Sequence, residues 1–200
     1  MLKHNRRGFL ALLAATPVLS LFPGRSWALD ENQARDFVMG VTERLIRLIQ
    51  APDPIETKRG AFKELMLDSS DMTTIARFAI GRRWKDMSEA QQADYRSAFT
   101  DYLSRIYTSR FSDYEGQTIE FASTRSGKKD LYVITNLVRE RAEPIEVSWR
   151  VREFGGAPKI LDIEAEGVSL LVSLKNEVSG LLAQNGDSVD KVIEVLKSKA

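Results

Sequence analysis

Apolar residues recur at two different spacings along the chain, and the change between them falls near Tyr114. Before that point the step is three to four residues, the mark of amphipathic helices. Phe37, Val38, Val41, Leu45 and Leu48 predict a first helix from Leu29 to about Gln50, closed by Pro52 and Pro54. A second is expected from Ile55 to about Met66, and Asp71 stands as the N-cap of a short third, Met72 to Ile80, which Gly81 stops. Ser88 with Gln91 three residues later reads as a capping box that opens a long helix to about Phe111. The buried line of this helix is rich in aromatics: Tyr95, Phe99, Leu103, Ile106, Tyr107 and Phe111.

After Tyr114 the step falls to two, so strands begin. Ile119 and Phe121 alternate with Thr118 and Glu120, Ser126-Gly127 makes a turn, and Tyr132 to Val138 forms a second strand. Ile145, Val147, Trp149 and Val151 alternate with Glu146, Ser148, Arg150 and Arg152 in a third. Gly155-Gly156 turns the chain into a fourth, with Leu161, Ile163 and Ala165 set against Asp162, Glu164 and Glu166. Helices return from Ser169 to about Leu182 and from about Ser188 to Lys197. The predicted fold is α+β: a four-stranded antiparallel meander, open to a fifth strand, with helices packed on its one apolar face. No repeat or long linker divides residues 29–200, so they read as a single domain.

The first 28 residues follow a different plan. Lys3, His4, Arg6 and Arg7 make a positive head, Gly8 to Phe22 an apolar stretch broken by Pro17, and Ser26-Trp27-Ala28 a small-x-small end suited to cleavage before Leu29. The stretch is shorter than the roughly 20 residues a spanning helix needs, so it reads as a signal peptide. Asn5-Arg6-Arg7-Gly8-Phe9-Leu10 has the twin-arginine pattern, with Arg25 before the cleavage point; a general secretory signal with an arginine-rich head is the other reading. Both place the mature chain outside the cytoplasm, in the periplasm, and the absence of cysteine rules out a lipoprotein anchor.

Composition then removes whole classes of chemistry. The chain has 200 residues, no cysteine and one histidine, His4, which lies in the removable segment. A mature protein without either residue cannot use Ser-His-Asp or Cys-His catalysis, imidazole or thiolate metal ligation, iron-sulfur clusters or disulfides. Loss of the leader takes four of the 29 basic residues and none of the 28 acidic ones, leaving a net charge of −3, which disfavours nucleic acid as a partner. Neither a phosphate-binding loop nor a dinucleotide-binding glycine pattern occurs, so no nucleotide cofactor is expected. Asp162, Glu164 and Glu166 could form a carboxylate pair or hard-cation site, but solvated charge on an edge hairpin is the plainer explanation, and no metal is expected. Arg82, Arg83 and Lys85 around Trp84 suit a phosphate or an acidic partner, and equally a solvated helix-end loop.

Several segments together carry a resemblance. Phe62-Lys63-Glu64-Leu65, Met72 to Phe78, Ile80-Gly81-Arg82-Arg83-Trp84 and the tyrosines and phenylalanines of the long helix lead to Lys159-Ile160-Leu161-Asp162-Ile163-Glu164-Ala165-Glu166-Gly167-Val168-Ser169-Leu170. From about Phe37 to Leu196 the sequence resembles the MlaC, or toluene-tolerance, family of periplasmic phospholipid-binding proteins, whose pattern Asp-x-x-x-Glu-Gly-Val-Ser is met by Asp162, Glu166, Gly167, Val168 and Ser169. Lys159 and Ile160 stand where an aromatic is common in the family. A subgroup associated with hopanoid lipids is similar enough to leave the lipid open.

The resemblance implies a monomeric carrier, not an enzyme, that holds phospholipid tails in a hydrophobic cavity between sheet and helices. Its partners would be membrane complexes of the inner and outer membranes, one of them resembling an ATP-driven transporter. The tail-facing residues expected from alternation and helical phase are Phe78, Phe99, Leu103, Ile106, Val133, Val147, Trp149, Val151, Ile163 and Leu171, with Arg82, Arg83 and Lys85 meeting the headgroup or a partner. Two competing classes make opposite demands on the same cavity. A small cone-shaped enzyme would need Asp86 or Asp162 as general base, and an interaction module would have a filled core.

Overall fold

Helix boundaries fall where side chains satisfy the backbone. The computed structural model describes residues 29–199; the expected targeting segment lies outside them. Helix α1 (Glu31–Gln50) opens on a reciprocal capping box between Asp30 and Gln33. Helix α2 (Ile55–Ser69) starts after Pro54 and runs one turn beyond the expected Met66, with the Ser69 hydroxyl donating back to the Leu65 carbonyl at 2.6 Å. Asp71 caps α3 (Met72–Ile80) through the Thr74 N–H, and Gly81 ends it. A 3-10 segment (Gly81–Asp86) leads to α4 (Glu89–Thr108), where Ser88 and Gln91 form the predicted box. The chain beyond α4 does not continue helical to Phe111; it makes a separate 3-10 turn, Phe111–Asp113.

The sheet is an antiparallel meander in the order β1 (Thr118–Ser126), β2 (Leu131–Arg139), β3 (Ala142–Phe154), β4 (Ala157–Ala165), with a two-residue β5 (Val168–Ser169) as the fifth strand. Helices α5 (Leu170–Gln184) and α6 (Val189–Lys199) follow. Register fixes the two faces. Thr124, Val133, Trp149 and Ile163 form one cross-strand row toward the helices, and the next row, Arg125, Tyr132, Arg150 and Asp162, points the other way.

One expectation needs correcting here. Leu161 was expected to alternate with Ile163 and Ala165, but Val151 pairs with Ile160 while Arg150 pairs with Asp162, so Leu161 is the extra residue of a bulge and both Ile160 and Leu161 are buried. The bulge is held from outside the meander: the Asp71 N–H donates to the Ile160 carbonyl at 3.3 Å, and Ser70 bridges the same residue.

The core is divided. One cluster is helical, uniting α3, α4, α5 and α6 around Ala76, Tyr95, Phe99, Val178 and Leu196. The other joins α1 and Leu65 of α2 to the inner sheet face around Val38, Val133, Trp149 and Val151. Domains usually complete one contiguous core. Here two are completed, and the space between them is where the site lies.

An apolar cavity between two cores

A cavity of about 270 Å³ opens between the two clusters. Each surrounding helix contributes the face that its period buries: Val41 and Leu45 from α1, Phe62, Leu65 and Met66 from α2, Met72 and Ile75 from α3, Leu103 and Tyr107 from α4, and Leu170, Leu171 and Leu174 from α5; the sheet adds Trp149 and the bulged run Ile160 to Ile163, where strand alternation is broken. The size is just below the roughly 300–1,000 Å³ of small-molecule sites.

Two polar groups of the wall, the Trp149 indole and the Asp162 carboxylate, are already engaged. Trp149 donates its indole N–H to the Thr135 hydroxyl at 2.9 Å, on a residue with no exposed surface, so the ring can present its hydrocarbon to the cavity. Asp162 accepts from the Ile163 N–H at 2.9 Å, the Leu171 N–H at 2.9 Å and the Ser169 hydroxyl at 2.6 Å. Its carboxylate therefore ties β4 to the start of α5, where Ser169 also caps the helix through the Val172 N–H. Gly167, with φ at +78°, makes the turn into that junction in a conformation costly for other residues. The Asp-x-x-x-Glu-Gly-Val-Ser pattern is thus a joint.

An aromatic cluster closes one end. Phe62 meets Phe111 edge to face at 5.5 Å between ring centres and Tyr107 at 6.4 Å. Burial, reinforced by the Glu177 carboxylate, pushes the Tyr107 phenol up to about 12, so it stays neutral at any physiological pH. Glu177 also accepts a hydrogen bond from Tyr102, tying α5 to α4 across the helical side of the cavity.

The expected tail-facing residues separate by position. Leu103, Trp149, Ile163 and Leu171 line the cavity. Phe99 lies behind the wall, stacked on Tyr95 at 5.6 Å in the helical core, and Ile106 packs against that core. Val133, Val147 and Val151 belong to the sheet core. Phe78 is 39 % exposed on α3, with the Lys175 ammonium 5.2 Å from its ring centre, outside the cavity. The α1 and α2 wall residues were absent from the expected set, because a helical phase says which face is buried and not against what.

The basic loop is docked rather than free. Arg83 pairs with Asp187 at 2.7 Å, and Trp84 packs edge-on against Tyr95 while its carbonyl accepts from Gln92. Arg82, Lys85 and the candidate base Asp86 are exposed. Among the described residues no group of three potential metal ligands exists, and no helix is long and apolar enough to cross a membrane.

Fold and cavity together define an α+β protein with an apolar cavity between a helical layer and an antiparallel sheet. The chain belongs to the MlaC protein family, whose model matches residues 40–198. It is 22 % identical over 212 positions to the toluene tolerance protein ttg2D of Pseudomonas putida, spanning 100 % of this chain and 94 % of that one. Its fold superposes with a TM-score of 0.72 on a phospholipid-binding protein from Ralstonia solanacearum solved in complex with a phospholipid, at 20 % identity over 83 % of this chain and 96 % of that chain.

Proposed function

We propose that this protein is a periplasmic carrier that encloses phospholipid acyl chains in the cavity between its two cores and moves them between complexes of the inner and outer membranes. The observation that carries the proposal is a cavity walled almost wholly by apolar side chains, in which the Trp149 indole and the Asp162 carboxylate are spent on the protein's own groups. Family membership and the phospholipid in the Ralstonia relative support the same reading.

The physical need is simple. Each methylene moved from hydrocarbon into water costs about 0.8 kcal/mol, so a free two-tailed lipid does not cross an aqueous gap on a useful timescale. An apolar chamber makes the transfer nearly neutral and needs no bond chemistry. Leu103, Trp149, Ile163 and Leu171 contact the tails directly, joined by Phe62 and Leu65, while Phe99, Ile106, Val133, Val147 and Val151 support the wall from behind. Taking in two tails requires the two cores to move apart, which a divided core permits at low cost.

Native mass spectrometry with lipid extraction tests this. Protein purified from a bacterial periplasm is expected to carry phospholipid, and Leu103→Asp, which sets a charge in the apolar wall, to lower lipid occupancy at least about tenfold. Wild-type protein free of lipid, or a folded Leu103→Asp protein with unchanged lipid, would overturn the assignment.

A further inference from the structure

A second feature lies at the opposite face of the sheet and plays no part in the cavity. The outward row places Arg125 beside Tyr132 and Arg150, and Arg152 follows two residues along β3. The β1–β2 turn adds Lys128 and Lys129, both exposed. Arg125 lies over the Tyr132 ring at 4.5 Å, and Arg152 over Phe154 at 5.9 Å.

The cluster is built rather than scattered. Asp130, with only 8 % of its side chain exposed, accepts from Arg150 at 2.8 Å and also from Arg152, so one carboxylate orients two guanidinium groups. Its own carbonyl accepts from the Gly127 N–H at 2.8 Å. A side chain at Gly127 would come within 2.9 Å of the Tyr132 ring, so the turn needs glycine to close against it. Arg125, Lys128 and Lys129 have no ion-pair partner among the described residues. Glu153 alternates away from this row but stands beside Arg152 in the wall of the adjoining recess. The result is a patch in which Arg125, Lys128, Lys129, Arg150 and Arg152 still outnumber the carboxylates of Asp130, Glu153 and Asp162, the last of which is spent on the α5 joint, while residues 29–200 as a whole carry net negative charge.

Beside the patch a recess of about 470 Å³ is lined by Lys128, Lys129 and Arg152, by the acids Asp130 and Glu153, and by Leu29, Leu131 and Val151. Cations flanked by the rings of Tyr132 and Phe154 match an anionic bilayer interface, where phosphates meet the cations and amphipathic aromatic rings sit at the headgroup level. We infer that the end of the sheet formed by the β1–β2 turn and the C-terminal half of β3 is a docking surface for anionic phospholipid membranes. The inference rests on the carrier reading only in supplying a reason to visit a bilayer.

Flotation with vesicles tests it, using full-length mature protein and vesicles of phosphatidylcholine alone or with one-third phosphatidylglycerol. Binding is expected to the anionic vesicles only, to fall steeply with added salt, and to drop at least about tenfold in Lys128→Glu/Lys129→Glu, whose exposed turn positions leave the fold intact. No binding by wild-type protein, equal binding to neutral vesicles, or salt-insensitive binding overturns the inference. So does wild-type-like binding by the charge-reversed protein. Lipid co-purified with the same samples separates the two proposals: occupancy without vesicle binding removes the docking surface alone, and vesicle binding by a lipid-free protein removes the carrier reading alone.

Discussion

Single residues in this molecule show that burial and partnership are separate matters. Tyr95 is wholly buried in the helical core, yet its hydroxyl has no hydrogen-bond partner among the described residues, and burial raises its pKa far above that of a free phenol. Trp149 and Asp162 are the contrary case, with every strong donor or acceptor engaged. An unpaired buried hydroxyl contributes desolvation cost without a bond in return. Tyr95→Phe is therefore expected to leave stability unchanged or raise it by up to about 1 kcal/mol, read by urea unfolding, although it alters the center of the core. A clear loss of stability would mean that the hydroxyl has a partner.

At the scale of elements, the joint between β4 and α5 is the place where one side chain holds two units in register. Asp162→Ala removes three accepted hydrogen bonds and leaves the Leu171 N–H at the helix start without its acceptor. A loss of about 2 kcal/mol is expected in chemical unfolding, with weaker retention of co-purified lipid because Leu170, Leu171 and Leu174 of the cavity wall hang from this joint. Asp162→Asn keeps an acceptor for the Leu171 N–H and should recover part of the loss. Elements were also the most legible level of the sequence. Asp71, the Ser88–Gln91 box, Ser169 and the glycine turns are local signals, and each stands where it was read. The Leu161 bulge was not legible, since it depends on how β4 pairs with β3 and on the Ser70–Asp71 backbone reaching across from another part of the chain. The cavity wall was legible only in part for the same reason. Leu103 and Phe99 share a helical phase, but one looks into the gap and the other into the packed helical core.

For the whole molecule the question is whether the gap is a packing defect or a place kept open. Ser69 is buried in the wall at 3 % exposure, and its hydroxyl only bonds back to its own helix. Ser69→Leu would fill part of the space. It is expected to stabilise the empty protein by about 1 kcal/mol in thermal unfolding and to lower lipid occupancy in the same preparation. Opposite signs in the two measurements identify a space that trades stability for use, whereas a parallel change would point to a simple defect.

The divided core has one more consequence, for the cycle of loading and delivery. On the carrier reading the cargo is the missing middle of the protein's interior, touching the helical half on one side and the sheet half on the other. A loaded molecule then melts as one body, while an emptied one is two modest bodies joined by their connections. The carrier is weakest just after it delivers, and a tendency to recapture lipid is built into its own folding. Release must therefore be drawn out by something that binds the lipid, or the emptied shape, more tightly than the loaded protein holds itself together.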